Sequence, residues 1–123
     1  MHTWFSRHSR RGWATCPITQ AGFVRVVSNP SFSRDAVSPE EALTLLADNL
    51  QRPSHQFWAD EIGIDEATQP FRQRVVGHQQ ITDAYLLGLA MHYKAKLATL
   101  DRSVVALLSD DASSTLCLEI IET

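Results

Sequence analysis

Residues 77–101, GHQQITDAYLLGLAMHYKAKLATLD, place one aspartate near the start of a helical pattern and another directly after a strand-like run. Thr82 is suited to cap a helix, and Asp83 falls in the first turn of that helix. The apolar positions behind the acid recur at helical spacing: Leu86, Leu87 and Ala90. Residues 96–100 are short and mostly apolar, which predicts a β-strand that delivers Asp101 at its carboxyl end.

Strand-like and helix-like segments alternate along the rest of the chain. The strand-like segments are residues 13–18, residues 55–60 and the final STLCLEII, and the helix-like segments follow Thr19, Ser38 and Asp101 or cover residues 71–76. The apolar faces expected to be buried are Phe23, Val26 and Val27, then Leu43, Leu45, Leu46 and Leu50, and finally Val105 and Leu108. This alternation favours an α/β fold with a mainly parallel sheet.

The length and the cysteine content limit the class of protein. A chain of 123 residues can build one hydrophobic core, so we predict a single domain over residues 1–123. Cys16 and Cys117 lie in apolar runs and are expected to be reduced core residues. No apolar run reaches the length of a membrane span and the N-terminus lacks the pattern of a signal peptide, so a cytoplasmic protein without membrane contact is expected.

The charge of the chain argues against a protein that coats nucleic acid. The formal net charge is −3 and the sequence pI is about 5.9, so any contact with nucleic acid must be local. A local basic cluster does exist in the first dozen residues, at Arg7, Arg10 and Arg11. Such a cluster fits either a solvated loop or a patch that faces phosphate.

Three polar residues are expected at one edge of the sheet. Gln20 lies just beyond the first predicted strand, and right-handed crossovers would deliver it to the same edge as Asp83 and Asp101. Two carboxylates at one place suit a hard divalent cation such as Mg²⁺, which binds oxygen ligands. Each acid also has an ordinary structural role, because aspartate is favourable at a helix start.

The order of three motifs resembles the PIN-domain ribonucleases, and specifically the VapC toxins of bacterial toxin–antitoxin modules. The motifs are WATCPITQAGFVRVVSNP, GHQQITDAYLLGLA and KLATLD, and the likeness runs from about Trp4 to the C-terminus. The resemblance implies a three-layer α/β/α sandwich with a mainly parallel sheet. It also implies a cluster of four acids that binds Mg²⁺ or Mn²⁺ and cleaves RNA by means of a metal-activated water.

The resemblance assigns roles to individual residues. Asp83 falls on the third acid position and Asp101 on the fourth, which makes these two the expected metal ligands. Thr99 matches a hydroxyl residue that orients the site. Gln20 stands where the family usually has a glutamate, so an oxygen ligand remains but a charge is lost. The catalytic set expected here is therefore Asp83, Asp101, Gln20 and Thr99, while Arg25, Arg10 and Arg11 are expected to hold RNA phosphate.

The family's first acid belongs to a central strand that is expected ahead of Trp4, and this sequence contains no such strand. A start site placed too far downstream, a partner chain that fills the gap, or a decayed copy would each account for this. Two functions follow: an endoribonuclease toxin, or a catalytically impaired module that binds and titrates an antitoxin. The implied partners are RNA, a VapB-type antitoxin and a second copy of the chain. A receiver-type signalling domain is a weaker alternative, because no early acidic pair follows a first strand.

Overall fold

The computed structural model describes residues 12–32, 34–108 and 117–121, and the chain divides into two compact units between Asp60 and Glu61. We call the described residues up to 60 the N-terminal unit and those from 61 onward the C-terminal unit. The single domain predicted over residues 1–123 stays a prediction.

The N-terminal unit contains two strands and two helices. In chain order they are β1 (Trp13–Thr15), α1 (Pro17–Val27), α2 (Pro39–Leu50) and β2 (His55–Phe57). The two strands are parallel, with Trp13 opposite His55 and Thr15 opposite Phe57. Trp13 also packs its ring against the His55 ring, at a centroid separation of 4.6 Å.

Helix α1 begins earlier than the sequence pattern predicted. Thr19 was expected to cap it, but the helix starts at Pro17 and Cys16 occupies the cap position. Pro17 is favourable there because its fixed φ suits a first helical residue and its missing N–H would have no partner in the helix. The Thr19 hydroxyl instead accepts the N–H of Cys16 and donates to the Cys16 carbonyl oxygen, each at 3.0 Å.

Helix α2 begins where its sequence predicted. The Ser38 hydroxyl accepts the N–H of Glu41 at 3.1 Å, and Pro39 occupies the first helical position. The predicted buried face was only partly right, however: Leu46 and Leu50 are partly buried, but Leu43 and Leu45 are exposed and Ala42 is the buried residue of this helix. Val26 on α1 is likewise exposed.

The C-terminal unit contains two further strands among short helices. Its elements are α3 (Ile64–Thr68), 3₁₀ helices at Gln69–Arg74 and His78–Gln80, α4 (Ile81–His92), β3 (Leu97–Thr99), a 3₁₀ helix at Arg102–Leu107 and β4 (Leu118–Ile120). Strands β3 and β4 are parallel, with Leu97 opposite Leu118 and Thr99 opposite Ile120. The α/β class and the parallel pairing are thus confirmed. Of the residues expected to be helical at 71–76, residues 71–74 belong to a 3₁₀ helix while Val75 and Val76 lie beyond its end, and α3 had not been predicted.

The C-terminal unit is built around a cluster of buried side chains. Its members are Phe71, Ala84, Leu87, Val104, Leu107 and Cys117. Val105 was expected to point inward but is half exposed. The buried residues of this 3₁₀ helix are Val104 and Leu107, which lie on one side because the helix has three residues per turn. Both cysteines are free and buried, as predicted, and burial raises the pKa of the Cys117 thiol.

Helix α4 is the central element of this unit. It begins at Ile81, so Thr82 lies within the first turn and does not cap the helix as predicted. Six of its residues are buried: Ala84, Tyr85, Leu87, Gly88, Leu89 and Ala90. Within the described residues, no helix combines the length and the apolar character needed to cross a membrane.

Gly88 allows α4 to approach α3 closely. A Cβ atom added at Gly88 would lie 1.9 Å from the carbonyl oxygen of Ala67, and that oxygen belongs to the backbone. We therefore expect Gly88→Ala to lower the free energy of unfolding by at least about 2 kcal/mol, because the clash outweighs the higher helix propensity of alanine.

Gly22 in α1 provides the matched control for this substitution. A Cβ atom at Gly22 meets nothing within 4 Å. Gly22→Ala should therefore stabilise the protein by about 0.5–1 kcal/mol. Urea denaturation of both variants checks the prediction, and equal effects of the two substitutions would contradict the close approach of α3 and α4.

Candidate active site

Asp83 lies in the first turn of α4, as its sequence position predicted. The residue is half-buried, and its neighbours Ala84 and Tyr85 are buried. Burial raises the pKa of the Asp83 carboxyl, and the negative charge of Asp101 raises it further. Ionisation of this carboxyl is therefore less favourable than ionisation of a fully solvated aspartate, and a nearby positive charge would favour it.

Asp101 follows β3 and caps the 3₁₀ helix at Arg102–Leu107. Its Oδ1 atom accepts two hydrogen bonds from Ser103, one from Oγ at 2.6 Å and one from the backbone N–H at 2.9 Å. These bonds lower the pKa of the Asp101 carboxyl, because they favour its charged form. The Thr99 hydroxyl oxygen accepts the backbone N–H of Asp101 at 3.0 Å.

The two aspartates lie close enough to interact electrostatically, although 18 positions separate them in the sequence. The pKa of Asp83 rises and that of Asp101 falls because Ser103 holds Asp101 ionised, so the repulsion acts on Asp83. In the part of the chain that the structure describes, no lysine or arginine forms an ion pair with either carboxylate. Among these described residues, the pair of acids thus has no basic side chain in an ion pair with it.

Gln20 lies in α1 of the N-terminal unit, where its amide is engaged. Its Nε2 atom donates to the Thr15 hydroxyl at 2.9 Å. Thr15 Oγ1 is also 2.8 Å from Nε2 of His55, so the three side chains link α1, β1 and β2. This bond uses the amide nitrogen of Gln20 and not Oε1. The role predicted for Gln20 beside the two aspartates stays a prediction.

The predicted RNA-contacting residues divide into two groups. Arg25 is exposed in the last turn of α1. Arg10 and Arg11 lie outside the described residues. The contacts of all three with phosphate stay predictions.

The donor set of the aspartate pair suits Mg²⁺ or Mn²⁺. Such hard cations bind oxygen ligands and commonly use one or two carboxylates, the remaining positions being filled by water. A positive charge at this place would offset both the burial of Asp83 and its repulsion by Asp101. Within residues 12–32, 34–108 and 117–121, no group of three or more His, Cys, Asp or Glu side chains is placed to hold a metal ion. The pair alone therefore fits a largely hydrated cation.

Ser103 is a contributor to the site that sequence reasoning missed. The signal was present in the order Asp101-Arg102-Ser103, since an aspartate at a helix start commonly accepts the N–H of the second residue after it. The pattern predicts the bond from the backbone N–H of Ser103, but it does not reveal that the Ser103 hydroxyl also donates a hydrogen bond to Asp101.

The site and fold described so far are those of a small α/β protein with a pair of carboxylates after a strand and at a helix start. No protein-family model matches the chain. Several curated proteins of Mycobacterium tuberculosis do match it. Ribonuclease VapC39 is 38% identical over 111 residues, which cover 90% of this chain and 77% of the relative. Ribonuclease VapC38 is 38% identical over 85% of this chain and 72% of the relative, and ribonuclease VapC44 is 39% identical over 82% and 70%.

Identity at this level over most of both sequences is decisive for the family. The chain belongs to the VapC family of PIN-domain ribonucleases. The resemblance inferred from the three motifs is thereby confirmed, together with the α/β fold class.

The pKa shift of Asp83 predicts a pH dependence of stability in metal-free protein. The carboxyl of an unfolded aspartate has a pKa of about 3.9, and that of Asp83 is higher in the folded state. The folded state therefore binds more protons in this pH window, and Asp83 makes the protein less stable as the pH rises through it. Asp83→Asn removes this loss. The difference between the unfolding free energies of Asp83→Asn and wild type should therefore increase in favour of the variant between about pH 3 and pH 7. The increase should be less than about 1 kcal/mol, because the carboxyl is partly exposed.

The contribution of Asp101 is separated by repeating the comparison in an Asp101→Asn background. In that background only burial raises the pKa of Asp83. The difference in unfolding free energy caused by Asp83→Asn should therefore change less steeply with pH. Urea denaturation in the presence of EDTA measures both slopes. A slope that is the same in the two backgrounds would show that the carboxylates do not interact.

Proposed function

We propose that the chain is a metal-dependent endoribonuclease toxin in which Asp83 and Asp101 bind one Mg²⁺ or Mn²⁺. The observation that carries the proposal is the pair of carboxylates, in which burial and then the charge of Asp101 raise the pKa of Asp83 and with which no described lysine or arginine forms an ion pair. Membership of the VapC family supports the reaction class, since the relatives are named as ribonucleases.

The chain's own residues prepare the site for a cation. Asp101 is held ionised by Ser103 and its backbone is held by Thr99, so one negative ligand is present before any cation arrives. Asp83 supplies the second charge, and its ionisation becomes favourable once a positive charge offsets burial and repulsion. A bound divalent cation lowers the pKa of a coordinated water and neutralises charge that develops on a phosphate.

The proposed partners follow from the family. RNA is the substrate, and a VapB-type antitoxin is the inhibitor that would counteract the toxin. The exposed Arg25 is available for contact with an RNA phosphate. A homodimer stays a prediction. The alternative of a catalytically impaired module that titrates an antitoxin is not favoured by the comparisons with known proteins.

Cleavage of total bacterial RNA by the purified chain tests the proposal. Wild type should cleave RNA in the presence of Mg²⁺ and should lose activity in EDTA. Asp83→Asn and Asp101→Asn should each lower the cleavage rate by more than about a hundredfold, because the loss of a direct ligand exceeds the 10–100-fold effect of altering an outer-shell partner.

Glu66→Gln is the matched control for these substitutions. Glu66 is an exposed acid on α3 of the same unit, so its neutralisation changes the net charge by the same amount as the aspartate variants. This variant should cleave RNA like wild type. Circular dichroism establishes that each variant is folded. RNA cleavage that persists in folded Asp83→Asn and Asp101→Asn would overturn the proposed site.

A further inference from the structure

We infer that Ser103 is a positioning residue of this site, which holds one oxygen of Asp101 so that the other oxygen is left for the cation. The inference rests on the proposed function and assigns a role to a residue that touches neither metal nor substrate. It follows from how hydrogen bonds are distributed over the two oxygens of a single carboxylate.

Both hydrogen bonds from Ser103 reach the same atom. Its Oγ lies 2.6 Å and its backbone N lies 2.9 Å from Oδ1 of Asp101. The shorter bond is of the length expected for a hydroxyl that donates to an ionised carboxylate. Among the described residues, no group donates a hydrogen bond to Oδ2. The two oxygens are therefore inequivalent, and Oδ2 is the one available to a cation.

Asp101 needs such support because it is exposed. An exposed aspartate rotates among several side-chain conformations, and binding a cation would require it to give up that freedom. The Ser103 donors restrict the side chain, while the Thr99 hydroxyl restricts the backbone of the same residue at 3.0 Å. Hydroxyl residues two positions before and two positions after the acid thus fix it in advance.

A second effect of Ser103 opposes this one. Hydrogen bonds to Oδ1 draw negative charge away from the carboxylate and so weaken its attraction for a cation. Hydrogen-bond partners of metal ligands nevertheless usually strengthen binding, by about 10–100-fold when judged from their removal. Both hydrogen bonds reach Oδ1, whereas the cation would bind Oδ2. The gain in affinity from orienting the carboxylate should therefore exceed the loss from charge withdrawal.

The test is the dissociation constant for Mn²⁺ of the full chain, measured by electron paramagnetic resonance without RNA. Ser103→Ala removes the hydroxyl and retains the backbone N–H, so Mn²⁺ binding should weaken by about tenfold, the lower end of the expected range. Ser103→Thr restores a hydroxyl at this position and should bind Mn²⁺ within about twofold of wild type. Weakened binding in Ser103→Ala with rescue in Ser103→Thr is the expected result.

Two controls separate positioning from a general loss of structure. In an Asp101→Asn background, Ser103→Ala should leave the remaining Mn²⁺ affinity unchanged, because Ser103 acts through Asp101. Thr68→Val removes another hydroxyl hydrogen bond of the C-terminal unit, donated to the Ile64 carbonyl oxygen at 2.7 Å. That variant should bind Mn²⁺ like wild type.

The outcomes distinguish this inference from the proposed function. If wild type binds Mn²⁺ and Asp83→Asn weakens binding but Ser103→Ala does not, the role of Ser103 is overturned and the proposed site stands. Tighter binding by Ser103→Ala would overturn it as well, by showing that charge withdrawal dominates. If wild type fails to bind Mn²⁺, both the site and the role of Ser103 are overturned.

Discussion

The repulsion between Asp83 and Asp101 is the interaction on which the functional account depends. A carboxyl in the first turn of a helix is ordinarily favoured by the helix dipole, yet the pKa of Asp83 is raised because burial and the charge of Asp101 oppose ionisation. Arrangements that oppose ionisation and lack a compensating protein charge are typical of functional sites. The divalent cation proposed for this pair would supply the positive charge that favours ionisation of Asp83.

A small number of contacts position the two aspartates. Helix α4 is held against α3 at Gly88, where the chain leaves no room for a side chain, and the first turn of the same helix carries Asp83. Strand β3 pairs with β4 and ends at Thr99, two residues before Asp101. The second acid is then fixed locally by hydroxyl groups. One aspartate is thus positioned by tertiary packing and the other mainly by hydrogen bonds to its neighbours in sequence.

The parts of this arrangement that depend on local sequence were predictable. The helical spacing behind Asp83 and the short apolar run before Asp101 located α4 and β3, and the Ser38-Pro39 start of α2 was confirmed. Boundaries and buried faces were less predictable. Thr19 was expected to cap a helix that in fact begins at Pro17, and Val105 was expected to point inward although Val104 and Leu107 are the buried residues of its helix. The second hydrogen bond from Ser103 depends on a local side-chain conformation that periodicity does not encode. The electrostatic interaction of the two acids depends on tertiary geometry, which only the expected sheet topology suggested.

The central claim is that two aspartates distant in sequence share one cation. The most direct test is a crystal structure of the chain grown with Mn²⁺, in which anomalous scattering locates the ion. The account predicts a single peak within coordination distance, about 2.0–2.3 Å, of a carboxylate oxygen from both Asp83 and Asp101. A peak bound by only one of the two, or carboxylates too far apart to reach a common ion, would contradict it.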